Sequence, residues 1–283
     1  MSYILPDKSL LEEKSSDLED NNNYYSLSKL TYKKDLNKKL LFPIGLNSED
    51  KYFIDLEKKS SILILGETGS GKTVLLNSII ISMLLKNTPD ELKFLFIDPR
   101  GVELSPYNNI PHMIKPTIDN KEEALFELEN IKKELENRQD LLLDAKARNI
   151  GEYNELSPNK IPHIVIAIDE AAELMEDKGF EKMMFEIIND GYRYGIHTIM
   201  ATSSSLKERL SLFFIRAFNY VITYDLADKE QALYVKINEA DLLTVFGEAL
   251  IKCLGHDIID LQTPYVSEKD INNVINFINN QNK

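Results

Sequence analysis

The sequence has little cysteine and no long apolar run, and both shortages exclude classes of protein. Cys253 is the only cysteine among 283 residues, which excludes an intramolecular disulfide and favours a reducing compartment. No uninterrupted apolar stretch approaches the roughly 20 residues that a membrane-spanning helix needs. Residues 1–23 are mixed and acidic, without the basic start and apolar centre of a secretory signal. We therefore expect a cytoplasmic protein without a membrane-spanning segment.

Positive charge is also scarce. The chain has 33 Lys and Arg against 46 Asp and Glu, a formal net charge of −13. Nucleic-acid-binding proteins usually carry a basic footprint, so this balance argues against tight, autonomous binding to DNA. It leaves open a ring with a basic pore inside an acidic exterior, because net charge does not report local fields.

What the sequence does contain is a phosphate-binding motif. Residues 66–73 read GETGSGKT, between the apolar run 61–65 and an apolar stretch of helical character. In this pattern backbone N–H groups point at a phosphate chain, Lys72 reaches the β- and γ-phosphates, and the Thr73 hydroxyl holds Mg²⁺. The positive end of the following helix adds to the same anion site. The motif predicts a nucleoside triphosphate site formed by Gly66, Glu67, Thr68, Gly69, Ser70, Gly71, Lys72, Thr73 and Val74.

Apolar runs and turn signals predict an α/β protein. Five strands are expected at 61–65, 93–97, 164–168, 197–201 and 220–224. Helices are expected from 74 to about 86 and at 119–148, 180–192 and 267–280. Strands that alternate with helices favour a mostly parallel sheet covered by helices on both faces. Residues 42–46 and 51–56 read as an additional hairpin.

The chain divides into two parts. Residues 1–41 are expected to be a polar, mobile N-terminal arm followed by a short helix. Residues 42–283 are expected to form one domain that carries the nucleotide site.

Two carboxylates, Asp169 and Glu170, follow the apolar strand 164–168. Ligands of open parallel sheets bind at the carboxyl ends of the strands, where Asp169 can hold Mg²⁺ and Glu170 can polarise the attacking water. The competing interpretation is a pair of acids that caps the next helix. Asp98, at the end of strand 93–97, is equally compatible with a second carboxylate near the metal and with a turn cap.

Two further residues have two interpretations each. Thr202, after strand 197–201, is a possible γ-phosphate sensor or part of a polar turn. Arg193 is a possible arginine finger for a neighbouring subunit's nucleotide or a solvated surface residue. Three of the four histidines, His112, His163 and His197, are far apart in sequence and lack metal-ligand spacing, so we do not expect a structural metal site.

Together these segments resemble the motor domain of the FtsK/SpoIIIE family of P-loop ATPases. IDPRGVELS at 97–105 resembles the family's IDPK-x-x-ELS, and RNIGEYNE at 148–155 resembles RN-x-x-x-YNE. DEAAELM at 169–175 is similar to DEFADLM, and RYGIH at 193–197 to RAAGIH. The resemblance runs in order from about Phe42 to Phe277.

The resemblance implies a RecA-like core that binds ATP and Mg²⁺, assembles into a hexameric ring and drives double-stranded DNA through its pore. Lys72 and Thr73 match the phosphate and Mg²⁺ ligands, and Asp169 and Glu170 match the metal-side and catalytic carboxylates. Arg193 matches the finger that acts in trans. The chain is expected to be either a shortened form of a longer motor protein or a small, soluble and divergent relative, for example from a plasmid, phage or conjugative element.

The departures lie in the half of the domain that senses nucleotide. The family's ATQRP is replaced by Ala201-Thr202-Ser203-Ser204-Ser205, without the Gln, Arg and Pro. DLADKEQ at 225–231 and LLTVFGE at 242–248 replace two further family segments. Two alternatives therefore stay open: a protein-transporting ATPase of the type VII secretion kind, and a nucleotide-binding module with weak hydrolysis.

Overall fold

The computed structural model describes residues 3–11, 25–30, 38–172, 174–203, 210–253 and 255–281. Within these ranges the strands are β1 (Tyr25–Ser26), β2 (Leu41–Leu46), β3 (Lys51–Asp55), β4 (Ser61–Leu65), β5 (Leu92–Ile97), β6 (His163–Ile168), β7 (Ile196–Thr202), β8 (Tyr220–Thr223), β9 (Glu248–Cys253), β10 (Ile259–Gln262) and β11 (Pro264–Tyr265). The helices are α1 (Leu27–Leu30), α2 (Lys72–Leu84), α3 (Lys121–Asp144), α4 (Ile150–Leu156), α5 (Lys178–Asp190), α6 (Leu212–Ile215), α7 (Lys229–Val235) and α8 (Glu268–Asn280).

Nine of these strands form one mixed sheet in the order β3-β2-β10-β9-β8-β4-β7-β6-β5. The five strands from β8 to β5 are parallel, which confirms the predicted core. The remaining four pair antiparallel, and the expected hairpin is present as β2 and β3. Sequence reasoning missed β9 and β10, which are only partly buried and lack a continuous apolar run.

Helices cover both faces of the sheet, as predicted. On β4, Ile62 and Ile64 pack into the cluster that includes α2 and α8. Leu63 and Leu65, which point the other way, pack into the cluster of α3, α5 and α6. Because side chains alternate along a strand, the central strands are apolar on both sides.

The long helix predicted at 119–148 is present as α3, which is slightly shorter, and a separate short helix, α4, follows it. Asn120 caps α3, since its side chain accepts the Glu123 N–H. The helix ends at Asp144, and Lys146 then adopts a left-handed conformation with φ 55°. Asn149 caps α4 by accepting the Glu152 N–H. The break therefore follows from local backbone and capping chemistry that an apolar pattern does not report.

The described parts of residues 1–41 contact the domain. The Ile4 N–H donates to Gln281 Oε1 at 2.7 Å, and Leu11, Leu27 and Leu30 are buried. β1 pairs parallel with β11 in a second, two-stranded sheet. The rest of the expected mobile arm lies outside the described residues. Across the described parts of the chain, every helix is too short or too polar to cross a membrane.

Candidate active site

The predicted site residues meet where the parallel strands end. β4, β5, β6 and β7 run the same way, so the segments that follow them gather at one edge of the sheet. A hollow of about 370 Å³ opens there, lined by Thr68, Gly69, Gly71, Lys72, Thr73, Val74, Arg100, Val102, Glu103, Asp169, Glu170 and Phe246.

The phosphate loop needs glycine for two different reasons. Gly69 and Gly71 have φ of 84° and 115°, a region that side chains with a Cβ rarely adopt. At Gly66 the limit is space, because a Cβ there would lie 2.6 Å from Ser70 Oγ and 2.7 Å from Tyr224 Cβ. Gly71 immediately precedes α2, so the loop delivers its backbone to the positive end of that helix.

The loop is held from a part of the chain that sequence reasoning did not connect with it. The Glu67 N–H donates to the carbonyl of Asp225 at 2.9 Å, and the Tyr224 N–H donates to Leu65 at 2.8 Å. The Tyr224 hydroxyl donates to Thr263 Oγ1 at 2.9 Å. The segment after β8 therefore supports the phosphate loop through main-chain bonds, which no residue type in the sequence signals.

Lys72 is a buried cation at the first turn of α2. It is 6% exposed, and its Nζ donates to the Glu67 carbonyl at 2.9 Å. Burial lowers the pKa of Lys72, while the nearby carboxylates Glu170 and Asp169 act to raise it. Since the bond to Glu67 is to an uncharged oxygen, a phosphate can replace it with a stronger, charge-assisted one.

Thr73 and Asp169 form a pair of oxygen ligands. Thr73 Oγ1 donates to Asp169 Oδ2 at 3.1 Å. Burial raises the pKa of Asp169 to about 6; the bond from Thr73 opposes this shift, and nearby carboxylates, Asp98 foremost, add to it. Hydroxyl and carboxylate oxygens suit Mg²⁺, and a divalent cation relieves the crowding of negative charge. These residues fit the predicted metal.

Glu170 has an unusual backbone and a well-defined set of partners. Its φ is 52°, in the left-handed region, and it is 8% exposed. Its Oε1 accepts the Ser203 N–H at 3.0 Å and the Ser203 hydroxyl at 2.6 Å. Arg100 Nη2 lies 3.5 Å from Oε2. Such backbone strain in a nonglycine residue persists only where surrounding structure enforces it, and it is common at functional sites.

Asp98 is a turn cap. Its Oδ1 accepts the N–H groups of Arg100 and Gly101 at 3.0 and 3.1 Å, and its Oδ2 accepts those of Glu103 and Leu104 at 2.9 and 3.2 Å. Through these four bonds to backbone donors, the Asp98 carboxylate fixes the conformation of the loop after β5. The loop in turn carries Arg100 to the hollow.

The candidate sensor Thr202 lies at the end of β7 and is 1% exposed. Its Oγ1 donates to the Ser203 carbonyl at 3.4 Å. The neighbouring Ser203 makes the side-chain contact with Glu170 instead. Ser204 and Ser205, which complete the altered family segment, lie outside the described residues.

Arg193 is far from the site of its own chain. It is exposed in the turn Gly191–Tyr194, which precedes β7. The phosphate loop lies beyond the opposite end of the parallel strands, and seven residues of β7 span on the order of 20 Å. A role for Arg193 in nucleotide chemistry therefore requires a second copy of the chain.

Two histidines that are distant in sequence form a pair, of which His197 is buried and His163 is partly buried. His163 Nδ1 and His197 Nε2 lie 3.0 Å apart, and the rings are 5.2 Å apart between centroids. Burial lowers the pKa of His163 to about 4 and the pKa of His197 well below its usual value. The pair is therefore neutral at pH 7, and in the described parts of the chain no three His, Cys, Asp or Glu residues gather as a metal site.

Comparison with known proteins places these observations in a family. The model of the FtsK/SpoIIIE family matches residues 27–217. The chain belongs to the FtsK/SpoIIIE family. This membership assigns it an ATPase domain that binds ATP, as the phosphate loop and the two carboxylates predicted.

Curated members of the FtsK/SpoIIIE family are similar over most of the chain. The DNA translocase FtsK of Campylobacter jejuni is 34% identical over 238 residues, which are 81% of this chain and 25% of that protein. The DNA translocase FtsK of Streptococcus pneumoniae is 33% identical over 258 residues, 86% of this chain and 34% of that protein. The chain thus spans about a quarter to a third of the length of these relatives.

Solved structures share the fold. The pCW3 conjugation coupling protein TcpA superposes with a TM-score of 0.78 at 24% identity, over 90% of this chain and 73% of that one. ATPases 2 and 3 of EssC from Geobacillus thermodenitrificans superpose with a TM-score of 0.75 at 24% identity, over 86% of this chain and 49% of that one. The predicted α/β P-loop ATPase fold is confirmed.

Proposed function

We propose that this chain is a cytoplasmic motor that couples ATP hydrolysis to movement along double-stranded DNA, as a hexameric ring. Its process is chromosome segregation or the transfer of a plasmid, phage or conjugative element. The observation that carries the proposal is an assembled phosphate loop and carboxylate pair in a chain whose matched relatives are DNA translocases.

The phosphate loop and Asp169 bind the nucleotide and its metal in this proposal. Backbone N–H groups of residues 66–71 and the ammonium of Lys72 bind the phosphates. Thr73 and Asp169, whose oxygens are 3.1 Å apart, hold Mg²⁺. When bound, Mg²⁺ neutralises the charge that develops on the phosphates.

Glu170 is the proposed general base. It lines the same hollow as Lys72 and Thr73, and its position directly after Asp169 puts it beside the metal ligands. As a carboxylate it accepts a proton from the water that attacks the γ-phosphate. Arg193 is the proposed finger, which acts on the nucleotide of the neighbouring subunit and so makes hydrolysis depend on the ring.

The test measures ATP turnover with Mg²⁺, with and without long linear duplex DNA, while light scattering follows particle size. We expect duplex DNA to raise the rate several-fold and particles to grow to ring size. Glu170→Gln should bind nucleotide but turn it over very slowly in both conditions. If DNA changes neither hydrolysis nor assembly, the DNA proposal fails; stimulation by an unfolded polypeptide instead favours a protein-transporting ATPase.

A further inference from the structure

The two carboxylate oxygens of Glu170 lie in different surroundings. Oε1 accepts two hydrogen bonds from one residue, the N–H of Ser203 at 3.0 Å and its hydroxyl at 2.6 Å. Oε2 has Arg100 Nη2 at 3.5 Å, and the Arg100 side chain is 55% exposed and lines the hollow. One oxygen is therefore anchored to the protein, and the other faces a cation at the open side.

The fold enforces this arrangement from both sides of Glu170. β6 and β7 are adjacent parallel strands, with Ile168 opposite Met200, so the residues after them are neighbours. Just beyond Glu170, the Ala171 N–H donates to the Ala201 carbonyl at 3.0 Å. The left-handed conformation of Glu170 turns its side chain within this frame, and Ser203 meets it there.

We propose that Ser203 is a positioning residue for water activation: it fixes Oε1 of Glu170, so that Oε2 is the oxygen that takes the proton from the attacking water. The inference rests on the proposed role of Glu170 in hydrolysis.

Hydrogen-bonding capacity supports this division of roles. An ionised carboxylate only accepts, so the Ser203 hydroxyl must donate to Oε1. Each oxygen has two lone-pair sites, and the two Ser203 donors fill those of Oε1. The ion pair of Oε2 with the exposed Arg100 is long and competes with water, which makes it easily displaced. Oε2 therefore keeps the capacity to accept from a water molecule.

This arrangement also assigns a role to a residue that differs from the family pattern. Ser203 stands where the resemblance places the Gln of ATQRP, at the end of β7. The short serine side chain reaches Glu170 directly at 2.6 Å. In this chain, the end of β7 is thus connected to the hydrolytic carboxylate itself.

The experiment compares Ser203→Ala and Ser203→Thr with the wild type, in the full chain with Mg²⁺ and duplex DNA. Ser203→Ala removes the hydroxyl bond and keeps the backbone bond, so we expect kcat to fall on the order of tenfold. KM and the Kd for a nonhydrolysable ATP analogue should stay within about twofold, and Ser203→Thr should restore kcat because it keeps the hydroxyl. Ser82→Ala, which removes a buried hydroxyl bonded within α2, is the matched control.

A double variant separates this inference from the proposed function. If Ser203 acts through Glu170, adding Ser203→Ala to Glu170→Gln should slow turnover no further. An additive loss, or a Ser203→Ala variant with wild-type kcat, would overturn the positioning role. If Glu170→Gln hydrolyses ATP at the wild-type rate, Glu170 is not the general base. The positioning role of Ser203 is then rejected as well, because it depends on Glu170.

Discussion

Arg138 Nη1 donates to the main-chain carbonyl of Tyr194 at 2.7 Å. Arg138 lies in α3 and is 1% exposed, and its Nε pairs with Glu134 at 2.8 Å. Tyr194 directly follows Arg193 in the turn before β7. A buried guanidinium thus braces the turn that presents the proposed finger and joins that turn to α3.

Replacing Arg138 by methionine should destabilise the domain. Methionine fills a similar space, but the Tyr194 carbonyl loses its donor, which costs about 1–3 kcal/mol of unfolding free energy. Urea unfolding followed by circular dichroism measures the loss. Lys133→Met is the control, because Lys133 is exposed on the same helix and its replacement should change stability by no more than about 0.5 kcal/mol. Equal stability of the two variants would show that the Arg138 bond contributes nothing.

The finger role of Arg193 predicts complementation between two inactive variants. Lys72→Ala loses its own phosphate site but keeps its finger, whereas Arg193→Ala keeps its site and lacks a finger. Arg193 and the phosphate site lie at opposite ends of the strands. Mixing the two proteins should therefore create interfaces in which an Arg193→Ala subunit supplies an intact site and a Lys72→Ala subunit supplies an intact Arg193. We expect ATP turnover to reappear on mixing. Continued inactivity, with mixed particles present by light scattering, would argue against a finger in trans.

The pKa of Asp169 predicts how stability depends on pH. The folded state raises this pKa to about 6 from 3.8, so the folded protein holds a proton that unfolding releases. Stability therefore decreases as pH rises through the window from about 4 to 6. Without metal and nucleotide, Asp169→Asn should be more stable than the wild type at pH 7.5 by about 1–3 kcal/mol. The gain should shrink towards pH 4.5, and Asp140→Asn, at an exposed site on α3, should show none.

The proposed metal-binding role of Asp169 predicts that nucleotide binding depends on pH. If Asp169 holds Mg²⁺, it does so in its ionised form, which is depleted as pH falls through about 6. We expect the affinity for Mg²⁺ and an ATP analogue to weaken between pH 7.5 and 5.5. Isothermal titration at both pH values measures the change, and a metal-free titration at the same pH values controls for protonation of the nucleotide. An unchanged Mg²⁺ contribution would place the metal elsewhere.

Gly66 should not tolerate alanine. A Cβ there would meet Ser70 and Tyr224 within 2.7 Å, so the phosphate loop must shift. We expect ATP affinity to fall about tenfold or more, equal to about 1.4 kcal/mol or more. Gly255→Ala is the control for backbone strain alone, because Gly255 has φ 81° and nothing within 4 Å of an added Cβ. Similar ATP affinity in both variants would contradict the steric account.

The nucleotide half of the fold was predictable because its signals are local. The five apolar strands, the GETGSGKT loop, and the acids after β6 can each be identified within a few residues. The antiparallel strands β9 and β10 are partly exposed, and the left-handed Lys146 just after the long helix α3 has no residue-type signal. Local chemistry therefore predicts the parallel core and the β2–β3 hairpin, but not β9 and β10.

The contacts that refine the site were not predictable, because they depend on strand register. Ser203 and Glu170 are 33 residues apart, and His163 and His197 are 34 apart. Both pairs meet because β6 and β7 are neighbours in parallel register. Arg100 stands where the resemblance has lysine, but its approach to Glu170 depends on the turn that Asp98 shapes.

The most direct test of the central claim measures movement along DNA. A duplex that carries a triplex-forming third strand is incubated with the protein, ATP and Mg²⁺, and release of the third strand is followed by gel or fluorescence. We predict release that requires ATP and is lost in Glu170→Gln. If the wild-type protein hydrolyses ATP in the same reaction while the third strand stays bound, the claim that hydrolysis drives movement along duplex DNA is contradicted.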